Sequence, residues 1–306
     1  MTTQALAPYE APLHLGANNT DPKLENVARL IVQGTDRPGI VASITQSLSE
    51  AGANIASLDQ YSSDPEGGRF FQRTVFTTPN LSTKVDALQH RLTQALGPLG
   101  MEWQLVEAKR RKRVAVFASK TDHCLLDLLW RQRRGELPVN ITMVVSNHPD
   151  LSDDVRAFGI PYFHIPVEKE NREQAEARHL ELLKDNVDLV VLARYMQILT
   201  EDFIEEVGVP IINIHHSFLP AFIGAGPYRK AKERGVKLIG ATAHYVTKDL
   251  DEGPIIEQDV IRVSHADDVA QLTRYGADVE RAVLSRAVKA HCEDRVIRDG
   301  NATVVF

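Results

Sequence analysis

Ile211-Ile212-Asn213-Ile214-His215-His216-Ser217-Phe218-Leu219-Pro220 begins as an apolar run and ends in a block of hydrogen-bonding side chains. Read as a strand, Ile211 to His215 turns Asn213 and His215 to the same face, because side chains alternate with period two. Three similar apolar runs precede it, at Val114 to Phe117, Ile141 to Val145 and Asp188 to Leu192, with a helix marked by Leu125 to Trp130 after the first. Near-continuous Val, Ile and Leu strands alternating with helices imply a parallel sheet covered on both faces, hence an α/β fold. Ligands of such sheets sit in the loops beyond the carboxyl ends of the strands, which is where Asn213 and His215 would lie.

Downstream the pattern becomes antiparallel, with Ile239 to Val246 and Ile255 to Val263 joined through Asp249-Leu250-Asp251-Glu252-Gly253-Pro254. A long amphipathic helix is expected from about Ala266 to His291, then a hairpin around Asp299-Gly300-Asn301. Upstream, a strand at Ala28 to Gln33 meets the turn Gly34-Thr35-Asp36-Arg37-Pro38-Gly39. Ile40, Ile44, Leu48 and Ala51 recur at helical spacing, and a strand opens at Asn54-Ile55. The turn at Gly67 and Gly68 leads into the strand Arg69 to Phe76, paired with it as a hairpin. Val85, Leu88, Leu92 and Leu96 mark a second helix, and Glu102 to Val106 a last strand. The string is βαββαβ, one antiparallel sheet under two helices, a ferredoxin-like arrangement.

The expected division is therefore a tail over 1–25, a first domain over 26–108, a basic linker over 109–113 and a second domain over 114–306. Two domains suit 306 residues at roughly 150 each. The linker Lys109-Arg110-Arg111-Lys112-Arg113 reads either as a nucleic-acid patch or as a solvated connection. A net charge of −6 and the absence of interleaved aromatics favour the connection, and make a nucleic-acid or anionic-membrane partner a poor fit. Two cysteines fit a reducing compartment, no run suits a membrane span, and the first residues lack a secretory pattern, so a cytoplasmic protein is expected.

Asn, His and Asp in one cleft suit acyl transfer. An amide N–H holds a developing oxyanion, an imidazole moves protons, and a carboxylate supports the imidazole. Asn-x-His on a strand is also a common structural pair, and His215, His216 and His244 lack zinc-site spacing, so no metal is expected. Cys124 at the start of an apolar helix reads as an inert buried thiol.

These stretches, with Ser146-Asn147-His148-Pro149-Asp150-Leu151, Leu192 to Leu199 and Asn301 to Phe306, resemble the folate-dependent formyltransferase fold. The N-terminal turn and Asn54-Ile55 resemble an ACT domain, and this order of modules resembles the formyltetrahydrofolate deformylase family. The resemblance implies an ACT-like domain followed by a Rossmann-like formyltransferase domain with a mostly parallel sheet. It implies hydrolysis of 10-formyltetrahydrofolate to formate and tetrahydrofolate, with folate as substrate and no separate cofactor. Asn213, His215 and Asp251 match the catalytic trio, with Asp251 positioning and partly deprotonating the water. Arg194, Met196, Gln197, Ile198, Leu199 and His244 match folate-binding positions, and Arg194, Arg229 or Lys230 would steer the folate glutamate tail.

Asp36, Arg37, Gly39, Asn54 and Ile55 match an ACT ligand site facing the interface of an ACT pair, which implies an amino-acid effector such as glycine or methionine, or else dimerisation alone. The sheet edge of such a module suits a homo-oligomer, a dimer or tetramer. Two other readings stand beside this one: a formyltransferase acting on an amine acceptor, and a non-catalytic amino-acid sensor. Ribonucleotide formyltransferases cradle a phosphate in a Gly/Ser/Asn loop at a helix N-terminus, whereas Ser119 to Cys124 has no glycine and has Asp122, which repels an anion unless Asp122 or Thr121 only caps the helix. Gly226 and Ala277 stand where a longer polar residue and an arginine are expected.

Overall fold

The computed structural model describes residues 20–64, 66–220 and 226–306. Most of the expected tail, and Phe222 to Ala225, lie outside the described residues. The first part of the chain runs β1 (Val27–Thr35), α1 (Ile40–Glu50), β2 (Asn54–Ser62), β3 (Arg69–Thr77), α2 (Leu81–Leu96) and β4 (Glu102–Glu107). Its sheet has the order β2-β3-β1-β4, antiparallel between neighbours. Alternation along β1 sends Ala28, Leu30 and Val32 to the helices, where Ile44, Leu48, Leu88 and Leu92 close the core.

The second part comprises β5 (Lys112–Ala118), α3 (His123–Arg133), β6 (Val139–Ser146), α4 (Ser152–Arg156), β7 (Tyr162–His164), α5 (Arg172–Leu183) and β8 (Leu189–Ala193). It continues with α6 (Glu201–Glu206), β9 (Ile211–His215), α7 (Pro227–Arg234), β10 (Leu238–Tyr245), β11 (Ile255–Arg262), α8 (Val269–Cys292), β12 (Val296–Asp299) and β13 (Ala302–Val305). Seven strands form one sheet in the order β11-β10-β9-β8-β5-β6-β7, parallel from β9 to β7 and antiparallel at β10 and β11. β5 is buried on both sides. Val114, Val116 and Ala118 pack with residues of α3 and α8, while Ala115 and Phe117 pack with residues of α5 and α6. The chain leaves β5 first towards β6 and then returns to β8, so the strand order reverses there and opens a crevice at the carboxyl ends of β5, β8 and β9.

The basic run stays partly in solvent, with Arg110 exposed, but its cations are already paired. Each of its five cations has an acid beside it: Glu107 for Lys109, Asp188 for Arg110 and Arg113, Asp21 for Arg111, and Asp294 for Lys112. Its last two residues already belong to β5. The two sheets meet at the C-terminus of α8. Arg73 on β3 donates to the carbonyls of Glu293 and Asp294, and Arg29 on β1 pairs with the Asp294 carboxylate at 3.0 Å. Two guanidinium groups at the carbonyl end of a helix of 24 residues complement its dipole.

Candidate active site

The crevice is a cleft of about 320 Å³. β9 supplies Asn213 and His215, and β10, antiparallel beside it, sets His244 directly opposite Asn213. Asp251 arrives on the loop between β10 and β11 with φ +59°, a left-handed conformation that short polar side chains tolerate. That loop is held close under β10. A Cβ on Gly253 would lie 1.8 Å from the Tyr245 carbonyl oxygen, and the Tyr245 N–H donates to Pro254.

His215 Nδ1 lies 3.2 Å from Asp251 Oδ2. Its other nitrogen, Nε2, is buried and has no hydrogen-bond partner among the described residues. His244 Nδ1 donates to its neighbour's carbonyl, Tyr245 O, at 2.9 Å, which leaves Nε2 as the acceptor facing Asn213 Nδ2 at 3.3 Å. This fixes the Asn213 amide with its NH₂ towards the histidine, and the second N–H of that group remains for a ligand. The hydrogen bond from His215 holds the Asp251 carboxyl well below the usual carboxylate range, despite its burial. His216, stacked 5.0 Å behind His215, is pushed down to about 4 by burial and then by Arg194, so its ring is neutral.

The loop of residues 194–199 after β8 forms the apolar wall. Met196 and Ile198 are more than half exposed although apolar, and Gln197 and Leu199 complete the wall. The loop is tied down at three points. Met196 N–H donates to Ser119 Oγ, Arg172 donates to the Ile198 carbonyl, and the buried Glu176 carboxylate accepts from both the backbone and the hydroxyl of Thr200.

Behind the histidines lies a polar cluster that sequence reading missed. Glu280, on α8, accepts from Tyr228 Oη at 2.5 Å and pairs with His123 Nε2 at 2.8 Å, with Arg194 Nε at 3.5 Å. Burial opposes its ionisation, but His123, Arg194 and Tyr228 outweigh that and hold the carboxyl below its ordinary value. The signal was present in the helix pattern, since Gly276, Val279, Glu280, Val283, Leu284 and Ala287 make one buried face with an acid inside it. His123, Cys124 and Glu280 bring three potential metal-ligand atoms within 4.8 Å of one another. Both Glu280 oxygens already have partners and the Arg194 guanidinium supplies the local cation, so the set suits an internal ion pair better than a metal. Arg194 holds φ +60° and turns its guanidinium towards Glu280. Asp122 takes the cap position of α3, but its side chain makes no capping hydrogen bond.

The chain matches the family model described as formyl transferase over residues 112–288 and that of the ACT domain over residues 28–89. A formyltetrahydrofolate deformylase of Mycobacterium bovis is 60% identical over 282 residues, covering 92% of this chain and 91% of that protein. The chain belongs to the formyltetrahydrofolate deformylase family. A formyltetrahydrofolate deformylase structure from Pseudomonas syringae pv. tomato matches with TM-score 0.88 at 45% identity, covering 92% of this chain and 94% of that one. A glycinamide ribonucleotide transformylase from Symbiobacterium toebii matches more distantly, with TM-score 0.60 and 31% identity over 64% of this chain and 94% of its own.

Among the residues matched to this deformylase family from sequence, Asn213, His215, His244 and Asp251 converge, with Arg194 to Leu199 along one side. The five ACT positions do not converge within one chain. Asp36, whose carboxylate accepts from Ser62 Oγ, lies with Arg37 and Gly39 beyond the end of β1, where Thr35 pairs with Arg69. Asn54 and Ile55 pair with Thr77 and Phe76 at the opposite end. β2 runs parallel to β1, so the two groups are separated by a nine-residue strand, about 26 Å. Gly226 holds φ +69° at the cap of α7 with open space around it, and Gly276, next to Ala277, lies against the Tyr228 ring.

Proposed function

We propose that this chain hydrolyses 10-formyltetrahydrofolate to formate and tetrahydrofolate, with Asn213, His215 and Asp251 as the catalytic groups. One observation carries the reading. His215 presents an unpartnered, buried Nε2 in the cleft while an ionised carboxylate holds its Nδ1. A ring held in this way can take a proton on Nε2, and the carboxylate stabilises the positive charge that results.

Water placed at Nε2 attacks the formyl carbon and passes one proton to His215. The carbonyl oxygen becomes an oxyanion and accepts from the free N–H of Asn213. Nε2–H then delivers that proton to N10 as the C–N bond breaks, and the second water proton leaves with formic acid, which ionises to formate. The depressed Asp251 carboxyl makes a poor base. In this reading the proton moves through His215, where the family resemblance implied Asp251 as the group that deprotonates the water. The apolar loop at Met196 and Ile198 suits a flat ring system, and no separate cofactor enters these steps.

The cytoplasm is the compartment this reaction fits, and among the described residues no helix is long and apolar enough to cross a membrane. A homo-oligomer, a dimer or tetramer, fits the open edge of β2, and an amino acid such as glycine or methionine is the effector assigned to the N-terminal module. The test of the activity is release of formate from 10-formyltetrahydrofolate by the pure protein with no acceptor present. Acceptor-dependent loss of formyl-folate would favour a transferase instead, and no turnover at all would favour a sensor.

A further inference from the structure

We propose that Arg194 makes water the acceptor of the formyl group: its Nη1–H holds the attacking water against His215 Nε2, and the same contact turns amines away. The inference deepens the deformylase reading and rests on it. Arg194 follows the last residue of β8 and lines the cleft together with Asn213 and His215. Its side chain is largely buried, yet its hydrogen bonds are incomplete. Both Glu280 oxygens are taken by shorter contacts, with Tyr228 Oη at 2.5 Å and His123 Nε2 at 2.8 Å. Glu280 therefore balances the guanidinium charge from 3.5 Å without forming a hydrogen bond to it. Nε and Nη1 are left as buried donors with no partner among the described residues.

A buried N–H left bare costs free energy, and ordered water is the usual partner where the protein supplies none. The second bare group of the cleft is an acceptor. His215 donates from Nδ1 to Asp251, so its Nε2 carries a lone pair, and that atom too is buried without a partner among the described residues. A bare donor and a bare acceptor in one cleft suit a single bridging water, which accepts from Arg194 Nη1 and donates to His215 Nε2. The charge of Arg194 also reaches the histidines. After burial it is the largest cause that pushes His216 down to about 4, and the His216 ring lies 5.0 Å from that of His215.

Such a seat separates oxygen from nitrogen nucleophiles. Water has two lone pairs, one to accept from Arg194 and one to attack the formyl carbon. An amine has one, and once that accepts from Arg194 nothing remains for the attack. A protonated amine is repelled by the guanidinium as well. Without the Nη1–H, a neutral amine can attack in place of water. Its nitrogen then bonds to the formyl carbon, one of its protons passes through His215 to N10, and the C–N10 bond breaks.

The test gives the full chain 10-formyltetrahydrofolate together with methoxyamine, whose nitrogen is unprotonated at neutral pH, and measures formate and N-methoxyformamide side by side. The parent should yield formate almost alone. Arg194→Met keeps the length of the side chain and removes every donor. It should release formate about a hundredfold more slowly at saturating substrate, with KM within a few-fold, and its share of N-methoxyformamide should rise at least about tenfold. Arg194→Lys, which keeps a donor on a different reach, should fall between the two on both measures. Arg194→Met leaves Glu280 with one cation fewer, so the double variant Arg194→Met, Glu280→Gln removes both charges. It should melt close to the parent and keep the altered product ratio. Formate release by Arg194→Met within about threefold of the parent overturns the seat, as does a slower variant with the parent's product ratio, or a double variant that recovers that ratio. A parent that releases no formate overturns the deformylase reading itself, and the seat with it.

Discussion

Replacing Asp251 by Asn keeps the size of the side chain and removes the charge beside His215. At 3.2 Å and an effective dielectric of about 20, opposite unit charges attract by about 5 kcal/mol. That is the upper limit of what the carboxylate contributes once the ring has taken the proton of the water, and it corresponds to several thousand-fold in rate. The cleft is open to solvent on one side, so screening reduces the figure, and a loss of about a hundred- to several thousand-fold in kcat is expected. The amide adds a second effect of the same sign. Its NH₂ can donate to Nδ1, which moves the ring proton to Nε2 and leaves no lone pair for the water. The assay is acceptor-free formate release under saturating substrate, with KM expected to stay within a few-fold. His215→Gln should fall as far, and the double variant no further, because two residues that act as one unit are not additive. A kcat within about tenfold of the parent, or a loss carried by KM alone, would refute the assignment. Survival of His215→Gln would return the base role to Asp251.

Asn213→Ala removes the proposed oxyanion donor and should lower kcat about a hundred- to thousand-fold with the fold intact, measured by formate release beside a thermal melt. Gly253→Ala places a methyl group against the Tyr245 carbonyl, where the backbone has no room. The Asp251 loop must shift by an ångström or more, and kcat should drop about a hundredfold, whereas an unchanged rate would show that the loop position is not critical. His179, buried against Phe117, Tyr195 and Phe203, is pushed down to about 4 by burial alone. Unfolded, it takes up a proton at its ordinary 6.5, so stability is complete above that pH and is lost as pH falls towards 4. Its share of that loss is about 2 kcal/mol at pH 5, and His179→Phe should recover a comparable amount there and much less at pH 8, read from denaturant melts at the two pH values.

How much of the molecule was legible depended on the range of the interaction involved. β9 could be read because period-two alternation and an apolar run are local properties, and Asn213 and His215 followed from it without knowledge of any other strand. The helices of the N-terminal module were equally local, since Ile40, Ile44 and Leu48 state their own period. The fate of the basic run was not local. Its partners Asp188 and Asp294 lie 75 and 182 residues further along the chain. The ACT positions lie apart within one chain for a related reason. Proximity in sequence motifs says nothing about which end of a sheet a strand starts from, and the parallel course of β2 and β1 separates them.

The same distinction explains why hydrolysis, and not transfer, fits the closed end of the cleft. The first strand's loop already lacked glycine, but the decisive group comes from α8, more than 150 residues later. Glu280 brings a buried carboxylate to His123 at the start of α3, and Arg194 turns inward to it from the strained end of β8. Gly276 lets Tyr228 lie against α8 and donate to the same carboxylate, so four side chains from four separate segments fill the space beside His216. With that end filled and charged, the open side of the cleft is left to the folate and to water. The choice of acceptor thus rests on groups that never touch the formyl carbon.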